Sequence, residues 1–276
     1  MRVIRHVSEV IHTGRPRVAA AGRFDGVHRG HQRLLAQVVH TASLVDGESV
    51  VIVACRSGDA LSLLDARQHL ERLRDSGIDL VVFAPAAEID AAVDRLAVAR
   101  RLTARGSGTP APVGGRLEEI EPEQINGAPI SSATIHGALA GGDLDTVRAL
   151  LGHDPSVGGR VVHGFHRGAP LGIPTANLRV RGVRLPPDGV YAVWARSGGE
   201  RLRGVANIGF NPTFGNRTRT LETHLLDFSG DLYGRRLDVG FVARLRGERK
   251  FPDVASLLAQ IRADIDAARR LFDAHA

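Results

Sequence analysis

Residues 207–237 read NIGFNPTFGNRTRTLETHLLDFSGDLYGRRL, and the alternation of Glu222 with His224 inside them has the period of two that belongs to a β-strand. Short β-like runs surround this stretch: Arg160 to His163, Gly189 to Trp194, Arg203 to Ile208, Thr220 to Leu226 and Leu237 to Arg246, separated by Gly, Pro, Asn and Asp. Short strands with regular turn signals predict a small antiparallel barrel or sandwich. From Phe251 to Phe272, Val254, Leu257, Leu258, Ile261, Ile265 and Leu271 form an amphipathic stripe, which predicts a closing helix laid against that sheet.

Upstream of Gly158 the texture differs. Arg17 to Gly22, Val50 to Ala54 and Asp79 to Ala84 are apolar runs of strand length, whereas Gln32 to Ala42 and Ala66 to Asp75 carry apolar residues at helical spacing. Alternating strands and helices predict an α/β domain with a parallel sheet covered on both faces. Ala104 to Gly115 is rich in Gly, Pro, Ser and Thr and reads as a loop. A helix then runs from a Ser131 or Ser132 cap through Ile135 and Leu139 to Gly141-Gly142, and Asp143 to Leu151 forms another. The expectation is two domains, residues 1–152 and 153–276, which a chain of 276 residues is long enough to hold.

Composition narrows the partners. With 43% hydrophobic and 24% charged residues the chain is neither disordered nor fibrous. Its net charge of +6 suits an anionic ligand, yet Lys250 is the only lysine, the arginines are scattered among acids, and 4% aromatics leave little for base stacking. A nucleic acid is therefore not expected, and a phosphorylated small molecule satisfies the charge. Cys55 stands alone and cannot form an internal disulfide. The first residues lack the apolar stretch of a signal peptide, and no run of about 18 apolar residues spans a bilayer. No membrane is expected, and the expected location is the cytoplasm.

The chemistry concentrates in two places. Gly164 to Asn177 reads GFHRGAPLGIPTAN, whose glycines let a loop approach phosphates and offer N–H groups to them. On a strand, Thr175 and Asn177 would face one side and present a hydroxyl and an amide carbonyl to one Mg²⁺. Their spacing equally suits a turn in which both are local caps. Glu222 can accept the hydroxyl proton in a phosphoryl transfer to an alcohol. It can equally be a surface carboxylate paired with Arg217 or Arg219. The residues alone leave both choices open.

Seven ordered blocks resemble the flavokinase domain: GRVVHGFHRG, LGIPTAN, LPPDGVYAV, VANIGFNPTF, LETHLLDF, DLYGRRL, and an R-x-E-x-K-F at Arg246 to Phe251 followed by a helix. The resemblance implies a six-stranded antiparallel Greek-key β-barrel with a closing α-helix, which phosphorylates riboflavin with ATP to give FMN and ADP. It places ATP on the glycine-rich loop, at Gly164, His166, Gly168, Gly172 and Pro174, and Mg²⁺ on Thr175 and Asn177. Glu222 becomes the catalytic base, and Arg246 with the segment to Phe251 lies on the flavin side. Phe165, Phe210 and Phe251 read equally as core residues.

In the first half, Gly22 to His31 reads GRFDGVHRGH. Two imidazoles, His28 and His31, flanking Gly30 at a helix start make a binding site for nucleotide phosphates; the same pattern can be a polar cap. With Phe24, Asp25 and Gly26 after a strand, it resembles the cytidylyltransferase-type nucleotidyltransferase motif. Its position ahead of a flavokinase domain resembles the prokaryotic bifunctional riboflavin kinase/FAD synthetase family, whose first domain has a Rossmann-like fold and adenylylates FMN to FAD.

Three departures mark this half. Val50 to Asp59 reads VVIVACRSGD where the family has a Phe-x-Pro-His-type segment; an Asp-Phe-x-Phe-Gly block is missing, its place taken by Ala104 to Gly115; and Ser-Ser-Thr-x-x-Arg survives only as ISSATIH, with Ala133 for Thr and His136 for the phosphate-binding arginine. Histidine for arginine exchanges a permanent bidentate cation for a ring mostly neutral at pH 7. The expectation is a working riboflavin kinase with an impaired or inactive FMN adenylyltransferase-like domain. The alternatives are a fully bifunctional enzyme, with His136, Arg29 or Arg33 replacing the lost arginine, and a flavin- or nucleotide-binding regulatory module.

Overall fold

A computed structural model describes residues 1–11, 13–55, 61–105, 116–164, 172–211 and 218–274. The chain divides into two compact units, one of Met1–Ala60, Ala66–Thr134 and Leu150–Gly152, the other of Leu61–Asp65, Ile135–Ala149 and His153–Ala276.

The first unit runs β1 (Arg2–Ile4), β2 (Arg17–Gly22), α1 (Arg29–Leu44), β3 (Glu48–Cys55), α2 (Ala66–Asp75), β4 (Leu80–Pro85), α3 (Ile89–Arg95), β5 (Val98–Ala104) and β6 (Arg116–Ile120). Its strands form one sheet in the order β1-β4-β3-β2-β5-β6, parallel at every pairing. Consecutive residues of β3 and β4 are buried, among them Val50, Val51, Ile52, Leu80, Val81 and Val82, as a sheet covered on both faces requires. From β2 the chain moves outward to β3 and β4, then returns to β5 on the other side of β2. Doubly wound sheets bind ligands outside the carboxyl ends of their strands at such a reversal, and the His28-x-Gly30-His31 loop leaves β2 there.

A two-stranded ribbon of β7 (Gln124–Ile125) and β8 (Ala128–Pro129) follows, then α4 (Ser132–Gly141) and α5 (Leu144–Leu151). Ser131 caps α4, its Oγ accepting from the Thr134 N–H at 3.1 Å, and Asp143 caps α5 through the Thr146 N–H at 3.0 Å.

The second unit is a closed antiparallel barrel of β9 (Ser156–Val162), β10 (Ala176–Arg179), β11 (Gly189–Ser197), β12 (Glu200–Asn211), β13 (Thr218–Leu225) and β14 (Arg236–Arg246), in the order β10-β13-β12-β11-β14-β9. Pairing of β9 with β10 closes it. Tyr191, Ala206 and Thr223 stand side by side in register, fully buried, and fill the interior with Phe241, whose ring meets Tyr191 edge-on at 5.4 Å. The opposite parity puts Val190, Asn207, Glu222 and Asn177 in one row on the outer wall.

The closing helix α6 (Val254–Asp273) lies on that outer wall. Its Ala268 and Phe272 pack with Val190, Ala192, Val205 and Leu226, and the Phe272 ring lies 4.6 Å from that of Trp194. Asp253 caps it by accepting from the Ser256 N–H at 2.7 Å. Val254, expected in the apolar stripe, is instead exposed in the first turn. Residues 61–65 belong to this unit: Ser62 bridges to Val183, and Asp65 pairs with Arg236 at 2.5 Å.

Candidate active site

Between the barrel's outer wall and α6 lies a cavity of about 710 Å³, within the range of small-molecule sites. Ile173, Val190, Val205, Leu257, Ile261 and Ile265 give it an apolar wall, and Thr175, Asn207, Glu222, His224, Arg246 and Glu248 give it polar groups. Four expected site residues, Thr175, Glu222, Arg246 and Phe251, therefore line one cavity. Asn177 stands directly opposite Glu222 across the β10–β13 pair and shares its face.

Local contacts explain how this corner is held. The Pro174 carbonyl can only accept, so the Nδ1–H of His224 donates to it at 2.8 Å and ties the IPTAN segment to β13. Gly164 passes so close to the Asn177 carboxamide that a Cβ there would overlap it, and Gly172 has a left-handed φ of +73°. His166, Gly168, Phe165, Arg217 and residues 106–115 lie outside the described residues. Arg219, offered above as a partner for Glu222, is committed to Asp188, with its Nη2 2.6 Å from the carboxylate.

In the first unit, β2 ends in a strained turn. Phe24, Gly26 and Val27 all have positive φ, of 50°, 78° and 43°. For a β-branched valine this is an outlier costing roughly 1–3 kcal/mol, the kind of strain that persists where a surrounding site enforces it. The next residue, His28, is the N-cap of α1, its Nδ1 accepting from the His31 N–H at 3.3 Å. The two rings stack with centroids 3.6 Å apart, and Phe24 lies 5.0 Å from His31. A Cβ on Gly30 would stand 3.2 Å from the His28 ring, so glycine makes room for the stack. Gln32 braces the loop, its amide donating to the Val27 and Leu151 carbonyls at 2.8 and 2.9 Å.

The sequence reading missed His69 on α2, which joins this cluster. Burial depresses His28 to about 4, holds His31 well below the usual imidazole value, and lowers His69 against the opposing pull of Asp25. All three rings are thus neutral at pH 7 in the unliganded protein. His31 Nδ1 and His69 Nε2 are buried without a hydrogen-bond partner among the described residues. Arg33 is held by Glu123 at 2.8 Å, and His136 lies in the stretch of α4 that belongs to the second unit.

These shifts carry a pH dependence. Each histidine binds its proton near 6.5 when unfolded and only at lower pH when folded, so stability is intact above about pH 6.5 and declines as pH falls toward 4. His28 alone should cost the first unit about 2 kcal/mol between pH 7 and pH 5. Hydrogen-exchange protection in α1, corrected for the intrinsic exchange rate, should fall accordingly; constant protection down to pH 5 would contradict the assignment.

Other residues missed by the sequence reading are Asn207, which lines the cavity in register with Glu222, and Asp264, buried on α6. Neither has a local signal, because strand register and helix docking bring them to the site. No helix among the described residues is long and apolar enough to cross a membrane.

Comparison with known proteins bears on both units. A riboflavin kinase family model matches residues 151–272, and an FAD synthetase model matches residues 11–89. The bifunctional riboflavin kinase/FMN adenylyltransferase of Pseudomonas fluorescens is 32% identical over 98% of each chain. Its counterparts in Escherichia coli K12 and Bacillus subtilis are 33% and 32% identical, with 92% of each chain covered. The crystal structure of a protein named macrolide-efflux protein, from Streptococcus pneumoniae, superposes with a TM-score of 0.84 at 26% identity, covering 97% of this chain and 98% of that one. With both modules matched in order and near-full-length relatives above 30% identity, the chain belongs to the bifunctional riboflavin kinase/FMN adenylyltransferase family.

Proposed function

We propose that the barrel unit transfers the γ-phosphate of ATP to the ribityl hydroxyl of riboflavin, giving FMN and ADP, and that FMN adenylylation by the first unit is slow or lost. The observation that carries the kinase reading is the register of the outer wall, which sets Asn177 opposite Glu222 while Thr175 and Glu222 line one cavity. Glu222 accepts the proton of the attacking hydroxyl. The cavity orients the flavin so that this hydroxyl meets the phosphate, with Leu257, Ile261 and Ile265 of α6 in its apolar wall.

Thr175 and Asn177 supply neutral hard oxygens, which suit Mg²⁺ when phosphate oxygens and water complete its shell. Bound there, Mg²⁺ would neutralise charge on the β- and γ-phosphates.

One feature supports a weak first unit: Arg33, a candidate substitute for the missing arginine, is engaged by Glu123. A second reading, full conversion to FAD, is favoured by the stacked His28 and His31 at the sheet's reversal point and by the names of the relatives.

Chromatography separates the two. The full chain with ATP, Mg²⁺ and riboflavin should accumulate FMN, and with FMN supplied should form FAD far more slowly. Rapid FAD formation that His31→Ala abolishes would establish the second reading. Absence of FMN from folded protein would overturn the kinase reading.

A further inference from the structure

Arg246, the last residue of β14, lines the cavity beside Glu222. Its Nε donates to both carboxylate oxygens of Asp264 at 3.1 and 3.0 Å, and its Nη2 is 2.9 Å from the same group. Asp264 sits on α6, only 5% exposed. One turn earlier, the Gln260 amide donates to Asp264 at 2.9 Å, while its carbonyl accepts from Arg249 at 3.2 Å. The guanidinium carbons of Arg249 and Arg246 lie 5.0 and 5.6 Å from the centre of the Phe251 ring. Arg246, Asp264, Gln260, Arg249 and Phe251 thus form a closed circuit that joins the 247–251 segment to α6.

A buried ion pair is weak evidence for stability, because apolar residues of similar volume often serve as well. What it supplies is orientation. Arginine is planar and forked, and a carboxylate gripping its Nε–Nη2 edge leaves one Nη1 hydrogen and the second Nη2 hydrogen to meet a ligand once the Gly247 carbonyl has taken the other. Nη1 also donates to the Gly247 carbonyl at 3.0 Å, which fixes the plane further. A cavity with an apolar wall and one fixed cationic fork suits a planar heteroaromatic ring that carries acceptors along one edge.

We propose that Asp264 is a positioning residue for flavin binding, fixing Arg246 so that its guanidinium meets the acceptor-bearing edge of the isoalloxazine, and holding the 247–251 segment through Gln260 and Arg249. The inference rests on the reading of this cavity as the flavin side of the kinase.

The test uses the full chain and Asp264→Asn, which keeps shape and one acceptor but loses the charge. Riboflavin affinity, read from quenching of flavin fluorescence, and KM for riboflavin should each weaken about tenfold, the effect of one misdirected charged hydrogen bond. KM for ATP should hold, and kcat at saturating riboflavin should stay within about threefold. Arg246→Lys should behave alike, and the double variant should be little worse than either single one, because the two residues act as a unit. Unchanged riboflavin affinity in folded Asp264→Asn, or additive effects in the double variant, would overturn the proposal.

If Asp264→Asn does not fold, Gln260→Ala replaces it, with an expected loss of about threefold in riboflavin affinity alone; no loss would overturn the proposal equally. Wild-type protein that neither binds nor phosphorylates riboflavin would sink the flavin reading itself. Wild-type binding with insensitive variants would remove only the role of Asp264.

Discussion

Glu222→Gln should lower kcat for FMN formation by about 10²–10⁴-fold while changing riboflavin affinity less than about threefold. Glutamine matches glutamate in shape, so the row of Asn177, residue 222 and Asn207 across β10, β13 and β12 keeps its register. On the kinase reading proposed above, what disappears is the capacity to take the hydroxyl proton as the phosphoryl group arrives. Glu222→Asp keeps the carboxylate but withdraws it by one methylene, and intermediate activity is expected, since small misplacements of a catalytic group carry large rate costs. Steady-state kinetics at saturating ATP measures both. A kcat within tenfold of wild type in Glu222→Gln would place the base elsewhere, and His224 on the same face is then the residue to replace. With Nδ1 donating to the Pro174 carbonyl, its Nε2 is the remaining acceptor.

The parts of this molecule that were legible in the sequence are those whose signals are local. Alternation around Glu222, turn residues between short runs and the apolar spacing of 257–265 each report on their own segment, and the barrel and its helix follow. The strand β5 escaped because Arg100 and Arg101 interrupt its apolar pattern; the structure buries Arg101 by giving it Asp90 at 2.8 Å. The three-residue edge strand β1 is too short to carry a period. The same division runs through the sites. Thr175, Asn177 and Glu222 come from ordered motif blocks, whereas Asn207, Asp264 and His69 reach their places through register and helix packing.

His28 shows why motif readings can leave a false choice. Cap and phosphate-binding site were alternatives for the H-x-G-H segment, yet the His28 ring caps α1 through Nδ1 and stacks on His31 at the same time. The cap fixes the ring's orientation, which is what a pre-formed binding site needs. The cost is burial, which lowers the His28 ring to about 4. Cap and stack thus act together on one ring, and neither role excludes the other.

The largest stability effect is expected at Arg17, the first residue of β2. Arg17 is 2% exposed, and its whole fork is occupied: Nε donates to Glu48 at 2.9 Å, Nη1 to the Leu96 carbonyl at 2.9 Å and Nη2 to the Ile11 carbonyl at 2.6 Å. Three separate segments therefore depend on one side chain. Arg17→Met should destabilise the first unit by about 3–5 kcal/mol, because it leaves a buried carboxylate short of a partner and strands two carbonyls. Arg2 also pairs with Glu48 but from a half-exposed side chain, so it compensates only in part. Removing the acid as well, in Arg17→Met with Glu48→Leu, should recover a substantial share, since the uncompensated charge is then gone. Hydrogen exchange of the β2 and β3 amides under increasing urea measures the difference. A loss below about 1 kcal/mol in the single variant, or strictly additive losses in the pair, would mean that the ion pair is incidental and that apolar packing of the sheet alone sets its stability.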